Sequence, residues 1–411
     1  MSSLQPVRGT HDLLPDDARR HRHVEQTAFE VVKRYGYGEI VTPIFEFTEV
    51  FSRTLGETSD VVTKEMYTFT MGDETLTLRP EGTAGVARAF ISGGLSQNLP
   101  LKLFYRGPMF RHERPQKGRQ RQFHQVGVEF LGVESPLADV EVVSMGWRML
   151  AALGLGDKVQ LELNTLGDGE SRMAYRDALI AYLSPFKDKL SEDSRNRLER
   201  NPLRVLDSKD EGDKVIVANA PLIHDSLTPA ARDFFEQVKA GLDALGIPYT
   251  VNPKLVRGLD YYCHTAFEFT TTALGSQGTV LAGGRYDGLI GQMGGPATPG
   301  IGWAAGVERL SMLVGDAAPA AGRPVALIPM GDAVAALALA DRLRAAGIAV
   351  EMGFSGNMKK RMARANKANA RFAVILGEDE AARGAATLRD LDSGAQEEVP
   401  LAALEERLLQ S

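Results

Sequence analysis

Cysteine is almost absent: Cys263 is the only one in 411 residues. One thiol cannot build a disulfide framework or a cysteine-based zinc site, and it fits a reducing compartment, so a cytoplasmic location is expected. Long apolar runs are missing too. No stretch approaches about 18 uninterrupted apolar residues, so no membrane span is expected. The opening MSSLQPVRGTHDLLPDD has no apolar core, and a secretory signal is not expected. Histidines 11, 21, 23, 112, 124, 224 and 264 form no HExxH and no paired ligand spacing, so no metal site follows from a protein motif. No GxxxxGK followed by Ser or Thr occurs, which excludes a P-loop. Positive charge is not in excess: 47 Lys and Arg stand against 53 Asp and Glu, a net charge of −6. That argues against wholesale coating of nucleic acid and leaves local basic patches open.

What is present reads as a globular enzyme-sized chain. Hydrophobic residues make up 44% and charged residues 24%, enough to bury a core, and the length suggests two or three domains. Val24, Ala28, Val31, Val32 and Tyr35 recur at helical spacing, predicting an amphipathic helix over 16–35 with Asp16 as its cap and Gly36 as its stop. A strand over 39–42 ends at Pro43, which donates no ladder hydrogen bond, so it stops there or lies on an edge. Strands are predicted at 75–79, 101–106, 123–131, 159–165, 266–271 and 278–282, with a helix at 136–153 and a glycine-dense loop after 282. Between them, 168–245 is mostly helical, with a strand signal only in VIVAN at 215–219. This is not βαβ alternation. It predicts an α+β unit, a largely antiparallel sheet with surrounding helices and a helical insertion. After a linker-like DAAPAAGRP at 316–324, the pattern changes to βαβαβ: strands at 325–330, 348–352 and 372–376, helices at 332–346 and 357–370. A small C-terminal α/β domain with parallel strands is expected.

Three segments carry candidate chemistry. The first, 106–129, places Arg106, Arg111, Arg114, Lys117, Arg119 and Arg121 around a turn at Pro115–Gly118, against Glu113. Two strands joined by this loop would set several planar guanidinium forks over one pocket, suited to phosphate; the plain alternative is a solvated loop. The second, VRGLDYYCHT, holds Arg257, Asp260, Tyr261 and Tyr262; on these residues alone a structural Arg–Asp pair and core tyrosines are favoured over ligand contacts. The third, 281–309, is glycine-dense, so that backbone can approach a ligand or another chain, and it ends in Glu308-Arg309. Gly300-x-Gly302-x-x-Ala305 matches a dinucleotide fingerprint only superficially, because no strand reads before it.

Taken together, RGTHDLLP, TLRPEGTA (77–84), FRHERPQKGRQRQFHQ (110–125), RGLDYY (257–262) and GGRYDGL (283–289) resemble the histidyl-tRNA synthetases, a family of class II aminoacyl-tRNA synthetases, over essentially the whole chain. The resemblance implies activation of L-histidine with ATP and Mg²⁺, followed by transfer to the 3′ end of tRNA(His). It implies that Arg111 binds the α-phosphate, Arg309 the γ-phosphate, and Arg257 lies near the α-phosphate opposite Arg111. Glu113 joins these in the ATP site. Glu81, Gly82, Thr83, Gln125, Glu129, Tyr261 and Tyr262 match histidine-binding positions, with Arg111 and Arg257 beside them. Arg114, Gln116, Lys117, Arg119 and Arg121 would meet the tRNA acceptor end. Residues 16–43 resemble a dimer-forming motif, so a homodimer is implied.

The domains implied are a catalytic unit over 1–320, with the insertion at roughly 168–245, and an anticodon-binding domain over 324–411. In the latter, Lys360, Arg364 and Lys367 share a helix face suited to tRNA. The alternative within the same resemblance is a catalytically silent, histidine-sensing paralogue, the regulatory subunit of ATP phosphoribosyltransferase. Such paralogues usually lack the C-terminal domain and have eroded motifs, whereas residues 324–411 and all three arginines are present here.

Overall fold

A computed structural model describes residues 4–54, 61–206, 208–256, 261–275 and 278–410. The chain divides into two compact units, Met1–Ala318 and Pro319–Ser411.

In chain order, the strands of the first unit are β1 (Gly38–Glu39), β2 (Phe45–Phe47), β3 (Tyr67–Met71), β4 (Glu74–Leu78), β5 (Leu101–Phe110), β6 (Gln122–Leu131), β7 (Gln160–Thr165), β8 (Thr250–Val251), β9 (Cys263–Thr270), β10 (Thr279–Arg285) and β11 (Gly300–Gly306). Eight of them form one sheet in the order β1-β5-β6-β11-β10-β9-β7-β8. It is antiparallel through the centre and parallel only at the two edge pairs, β1 with β5 and β7 with β8. β2, β4 and β3 make a separate antiparallel sheet.

The period of two along a strand separates the two faces of the large sheet. Val126, Val128, Phe267, Phe269, Ile301 and Trp303 point into the main core. There they meet Val24, Ala28 and Val31 of helix Pro15–Lys33, the apolar side of helix Pro136–Ala152, and Phe235, Val238 and Leu242 of helix Pro229–Ala244. The other face is nearly bare. Gly127, Gly302, Ala304, Ala282 and Gly284 stand side by side across three strands by register.

Several local expectations change. Helix Pro15–Lys33 begins with Pro15 at its first turn, so the cap position falls on Leu14, which offers no side-chain acceptor; Asp16 pairs with Arg19 at 3.3 Å instead. The strand expected at 39–42 is only Gly38–Glu39, an edge strand; the Thr42 carbonyl is taken by the Arg79 guanidinium at 3.1 Å. VIVAN is helical: Asp210 caps helix Glu211–Val217 by accepting from Gly212 N and Asp213 N. The glycine-dense stretch after 282 is not one loop, because β10 runs to Arg285 and Gly300–Gly306 is a strand. Helix Pro229–Ala244, inside the expected insertion, packs on the main core. The insertion's own small cores are built from Leu183, Leu190, Leu198 and Val205, and from Tyr175, Leu179 and Ile223.

The second unit holds β12 (Val325–Pro329), β13 (Val350–Met352), β14 (Phe372–Leu376), β15 (Ala385–Asp390) and β16 (Gln396–Pro400), in the order β13-β12-β14-β15-β16. The βαβαβ portion is parallel as expected, and two antiparallel strands extend it. Helices Ala333–Ala345 and Met358–Lys367 start at Asp332 and Asn357, whose side chains cap them.

Candidate active site

The bare face of the large sheet is the floor of a cavity lined by Glu81, Thr83, Arg111, Glu113, Gln125, Tyr261, Tyr262 and Arg309 among others. Residues up to 228 positions apart in sequence, Glu81 and Arg309, therefore meet on one surface. Two glycines show why the floor carries no side chains. A methyl group on Gly302 would sit 2.1 Å from Glu129 Oε2 and 2.3 Å from the Val128 carbonyl. On Gly82 it would sit 2.2 Å from the Tyr105 ring. Gly82 is not itself part of the lining; its missing side chain admits Tyr105, which is.

The cavity has two chemically distinct regions. On the sheet, Gln125 is in register with Gly306 and Glu129 with Gly302, so the two positions are about 13 Å apart at the usual strand rise. The guanidinium groups lie past Gln125, beyond the Phe110 end of β5 and the Gly306 end of β11. Arg111 donates from Nε to the Pro80 carbonyl at 2.9 Å and stacks over Phe123 at 5.3 Å. Arg309, in the first turn of helix Val307–Val314, donates to the carbonyls of Gly118 (3.1 Å) and Thr279 (2.5 Å). Arg119, expected to face tRNA, also lines this cavity, with its Nε on Glu113. Burial lowers the pKa of Arg309, and the positive charges of Arg119 and Arg111 lower it further. Like charges gathered on one cavity repel one another, an arrangement that an anion relieves.

At the other side the carboxyl groups are buried. Glu81, 5% exposed, accepts from Thr83 N at 2.7 Å and Ala84 N at 2.8 Å at the start of helix Thr83–Ser92. Burial raises its pKa, opposed by those backbone N–H groups and by Arg111. Glu129, 1% exposed, is not itself in the lining: it lies behind it and accepts from Thr83 Oγ1 at 2.7 Å and from the Tyr286 hydroxyl, two residues that do line the cavity. Burial pushes its carboxyl up to about 8 despite those donors. Tyr261 stacks against Tyr262 and meets Tyr286 edge-on, with centroids 4.7 and 5.8 Å apart. The amide oxygen of Gln125 is buried with no hydrogen-bond partner among the described residues, a place for a ligand donor.

Arg257 lies outside the described residues, as does Asp260. Arg114, Gln116 and Lys117 are exposed on the β5–β6 hairpin loop and do not reach the cavity. Arg121 is engaged elsewhere: its backbone N–H and its Nη1 donate to the Gly9 and Arg8 carbonyls, pinning the N-terminal RGT segment. Lys360, Arg364 and Lys367 are exposed on helix Met358–Lys367 of the second unit, and Arg364 donates to the Ser355 carbonyl at 2.9 Å.

Sequence reasoning missed Tyr105 and Tyr286, and the pair His124–Glu308. Their partners are 157 and 184 residues away in the latter two cases, beyond the reach of any spacing rule. Tyr286 sits inside GGRYDGL, so the motif marked the place and not the contact.

The chain matches the family model for histidyl-tRNA synthetase over residues 9–310 and the model for an anticodon binding domain over 324–411. The chain belongs to the histidyl-tRNA synthetase family. The histidine–tRNA ligase of Rhodospirillum rubrum is 67% identical over 411 residues, covering 99% of each chain; that of Gluconacetobacter diazotrophicus is 59% identical over 407 residues, covering 98% of each. Among solved structures, apo S. aureus histidyl-tRNA synthetase has a TM-score of 0.83 at 36% identity, with 98% of this chain and 99% of that one covered. A Bacillus halodurans structure titled as an ATP phosphoribosyltransferase regulatory subunit/histidyl-tRNA synthetase shares the fold, with a TM-score of 0.65 at 21% identity over 89% of this chain and 97% of that one. Among the described residues no helix is long and apolar enough to cross a membrane.

Proposed function

We propose that this chain is a histidine–tRNA ligase whose cavity forms histidyl-adenylate from L-histidine and ATP. The observation that carries this is one cavity holding crowded guanidinium groups at one side and buried, hydrogen-bonded carboxyl groups among tyrosines at the other. In the first half-reaction a histidine carboxylate oxygen attacks the α-phosphorus, a new P–O bond forms, the bond to the bridging oxygen breaks, and pyrophosphate leaves. Little covalent work falls to the protein, so the barrier is lowered by positioning and by charge stabilisation. Arg111 and, by resemblance, Arg257 face the charge growing on the α-phosphate, Arg309 holds the γ-phosphate, and Arg119 adds a third described cation beside them. Mg²⁺, a hard cation that prefers oxygen donors, fits the carboxylate of Glu268, which lines the same cavity; bound there it would neutralise phosphate charge.

The substrate ring calls for a donor–acceptor match. Glu129, steadied by Thr83 and Tyr286, accepts from one imidazole N–H, and Tyr261 or Tyr262 completes the fit. Glu81 and the unpartnered Gln125 oxygen take the substrate ammonium. An apolar analogue would leave these groups buried and unsatisfied, a penalty of roughly 10⁴-fold, so such a site needs no editing step. In the second half-reaction a terminal ribose hydroxyl of tRNA(His) attacks the adenylate carbonyl and AMP departs, with a substrate phosphate oxygen available to take the proton. Arg114, Gln116 and Lys117, which are exposed, would meet the acceptor end, and residues 324–411 the anticodon.

The working form is a cytoplasmic homodimer. The free thiol suits that compartment, and one face of the β2–β4–β3 sheet supports dimerisation. By register Phe45, Phe47, Phe69 and Met71 share that face; they are 52, 54, 38 and 62% exposed. An exposed apolar patch of this kind is usual at an interface between copies. The regulatory-paralogue alternative is disfavoured, because residues 324–411 match the anticodon-binding model and Arg111 and Arg309 converge on one cavity. Incubation with ATP, Mg²⁺, labelled histidine and tRNA(His) tests the proposal: labelled histidine should become tRNA-bound, and a protein that leaves the tRNA uncharged is not this enzyme.

A further inference from the structure

At the edge of the cavity floor, one side chain continues a strand ladder. β6 and β11 pair from Leu131↔Gly300 down to Gln125↔Gly306, where the chain turns into helix Val307–Val314. The next residue on β6, His124, has lost its ladder neighbour. Glu308 takes that place. Its two carboxylate oxygens accept from His124 N at 2.9 and 3.0 Å, and His124 Nδ1 lies 2.9 Å from Oε1. Alternation puts His124 on the opposite face of the sheet from Gln125, where its ring meets His21 of helix Pro15–Lys33 edge-on at 5.6 Å. Among the described residues, His21, His124 and Glu308 are a group whose ligand-type atoms lie within 4.8 Å of one another. The contacts between His124 and Glu308 already account for two of its members.

The immediate neighbours of the pair are the groups that matter for chemistry. Gln125, next to His124, lines the amino-acid region. Arg309, next to Glu308, lines the triphosphate region. We infer that the His124–Glu308 contact is a positioning device that holds the amino-acid half of the cavity in register with the nucleotide half. This rests on the histidine–ATP reading of the cavity. The hydrogen bonds cross from the sheet to the first turn of the helix, where the glutamate carboxylate also faces the positive end of the helix dipole. Without them, the turn carrying Arg309 loses its anchor on His124, and Arg309 keeps its own bonds to the Gly118 and Thr279 carbonyls. Binding of one substrate then no longer fixes the geometry offered to the other. His124 is outside the cavity lining and Glu308 reaches its edge; both act here as positioning residues, through Gln125 and Arg309.

The test measures ATP–pyrophosphate exchange together with binding of a non-hydrolysable ATP analogue, with and without saturating histidine. In the wild type, histidine should tighten analogue binding. In Glu308→Met, which keeps length but removes both acceptors, kcat/KM should fall at least about tenfold, with the KM for ATP and histidine rising together and the tightening lost. Glu308→Gln should stay within about threefold of wild type, because its carbonyl can accept from His124 N while its amide faces Nδ1. His124→Leu, which removes only the ring contact, should fall between them and gives the reading if Glu308→Met does not fold. The inference is overturned if histidine and the analogue bind independently in the wild type. It is equally overturned if Met and Gln at 308 behave alike, if only one substrate's KM moves, or if His124→Leu matches wild type. A wild type with no histidine-dependent exchange would instead sink the reading of the cavity itself.

Discussion

Two features of Glu129 act on its carboxyl in opposite directions: it is buried, and it accepts hydrogen bonds from Thr83 and Tyr286. Burial wins, and the carboxyl sits at about 8 against an ordinary 4.5. Between those two values the folded protein keeps a proton that the unfolded chain has lost. The stability this group contributes is therefore full below pH 4.5 and is lost as pH rises through about 8. Glu129→Gln should flatten that fall, seen by comparing urea midpoints of the two proteins at pH 5 and pH 9. The same substitution should raise the KM for histidine roughly tenfold to hundredfold, since hydrogen bonds to a charged acceptor are the strong ones. It should also remove an ionisation near 8 from the pH profile of kcat/KM, activity rising toward the ionised form in the wild type. An unchanged profile would deny Glu129 its place at the imidazole.

Among the elements, the β5–β6 hairpin shows what sequence could and could not reveal. Its arginine-rich turn, its two strands and the guanidinium of Arg111 were legible, because turn residues and alternation are local signals. The destination of each arginine was not. Arg119 and Arg121 are two residues apart, yet one lines the cavity on Glu113 and the other holds the Gly9 and Arg8 carbonyls. That difference depends on the N-terminal segment folding back, more than 100 residues away in sequence. Arg119→Ala should therefore lower adenylate formation itself, by roughly 10²-fold, the scale of losing one positioned charge donor. If only tRNA charging falls and pyrophosphate exchange is kept, Arg119 belongs to the tRNA contact and not to the ATP site. β11 was illegible for a different reason. Glycine is depleted in strands, and Gly300, Gly302 and Gly306 read as a loop. In the strand a side chain at Gly302 would run into Glu129 and one at Gly300 into Tyr286, so packing, and not strand propensity, selects glycine at these two positions. The antiparallel pair β15–β16 carries no helix to announce it, so the parallel βαβαβ pattern looked complete without it.

On the scale of the whole molecule, the composition shift near 316–324 coincides with the division between the two compact units at Ala318 and Pro319. Each unit has its own core, the second built from Leu327, Leu339, Leu343, Phe372 and Val374 among others. A chain ending at Ala318 should therefore keep histidine-dependent adenylate formation within a few-fold while losing tRNA charging by roughly 10²-fold or more, measured side by side as pyrophosphate exchange and aminoacylation. Equal loss of both would mean that the second unit serves the chemistry and not tRNA capture. The proposed chemistry needs one cavity that joins a phosphate-binding cation cluster to a pocket shaped for a single amino acid. ATP–pyrophosphate exchange measured with each of the twenty amino acids in turn tests that directly. Exchange should appear with histidine alone, and fall sharply in Arg309→Ala; exchange with a different amino acid, or none with histidine, would contradict it.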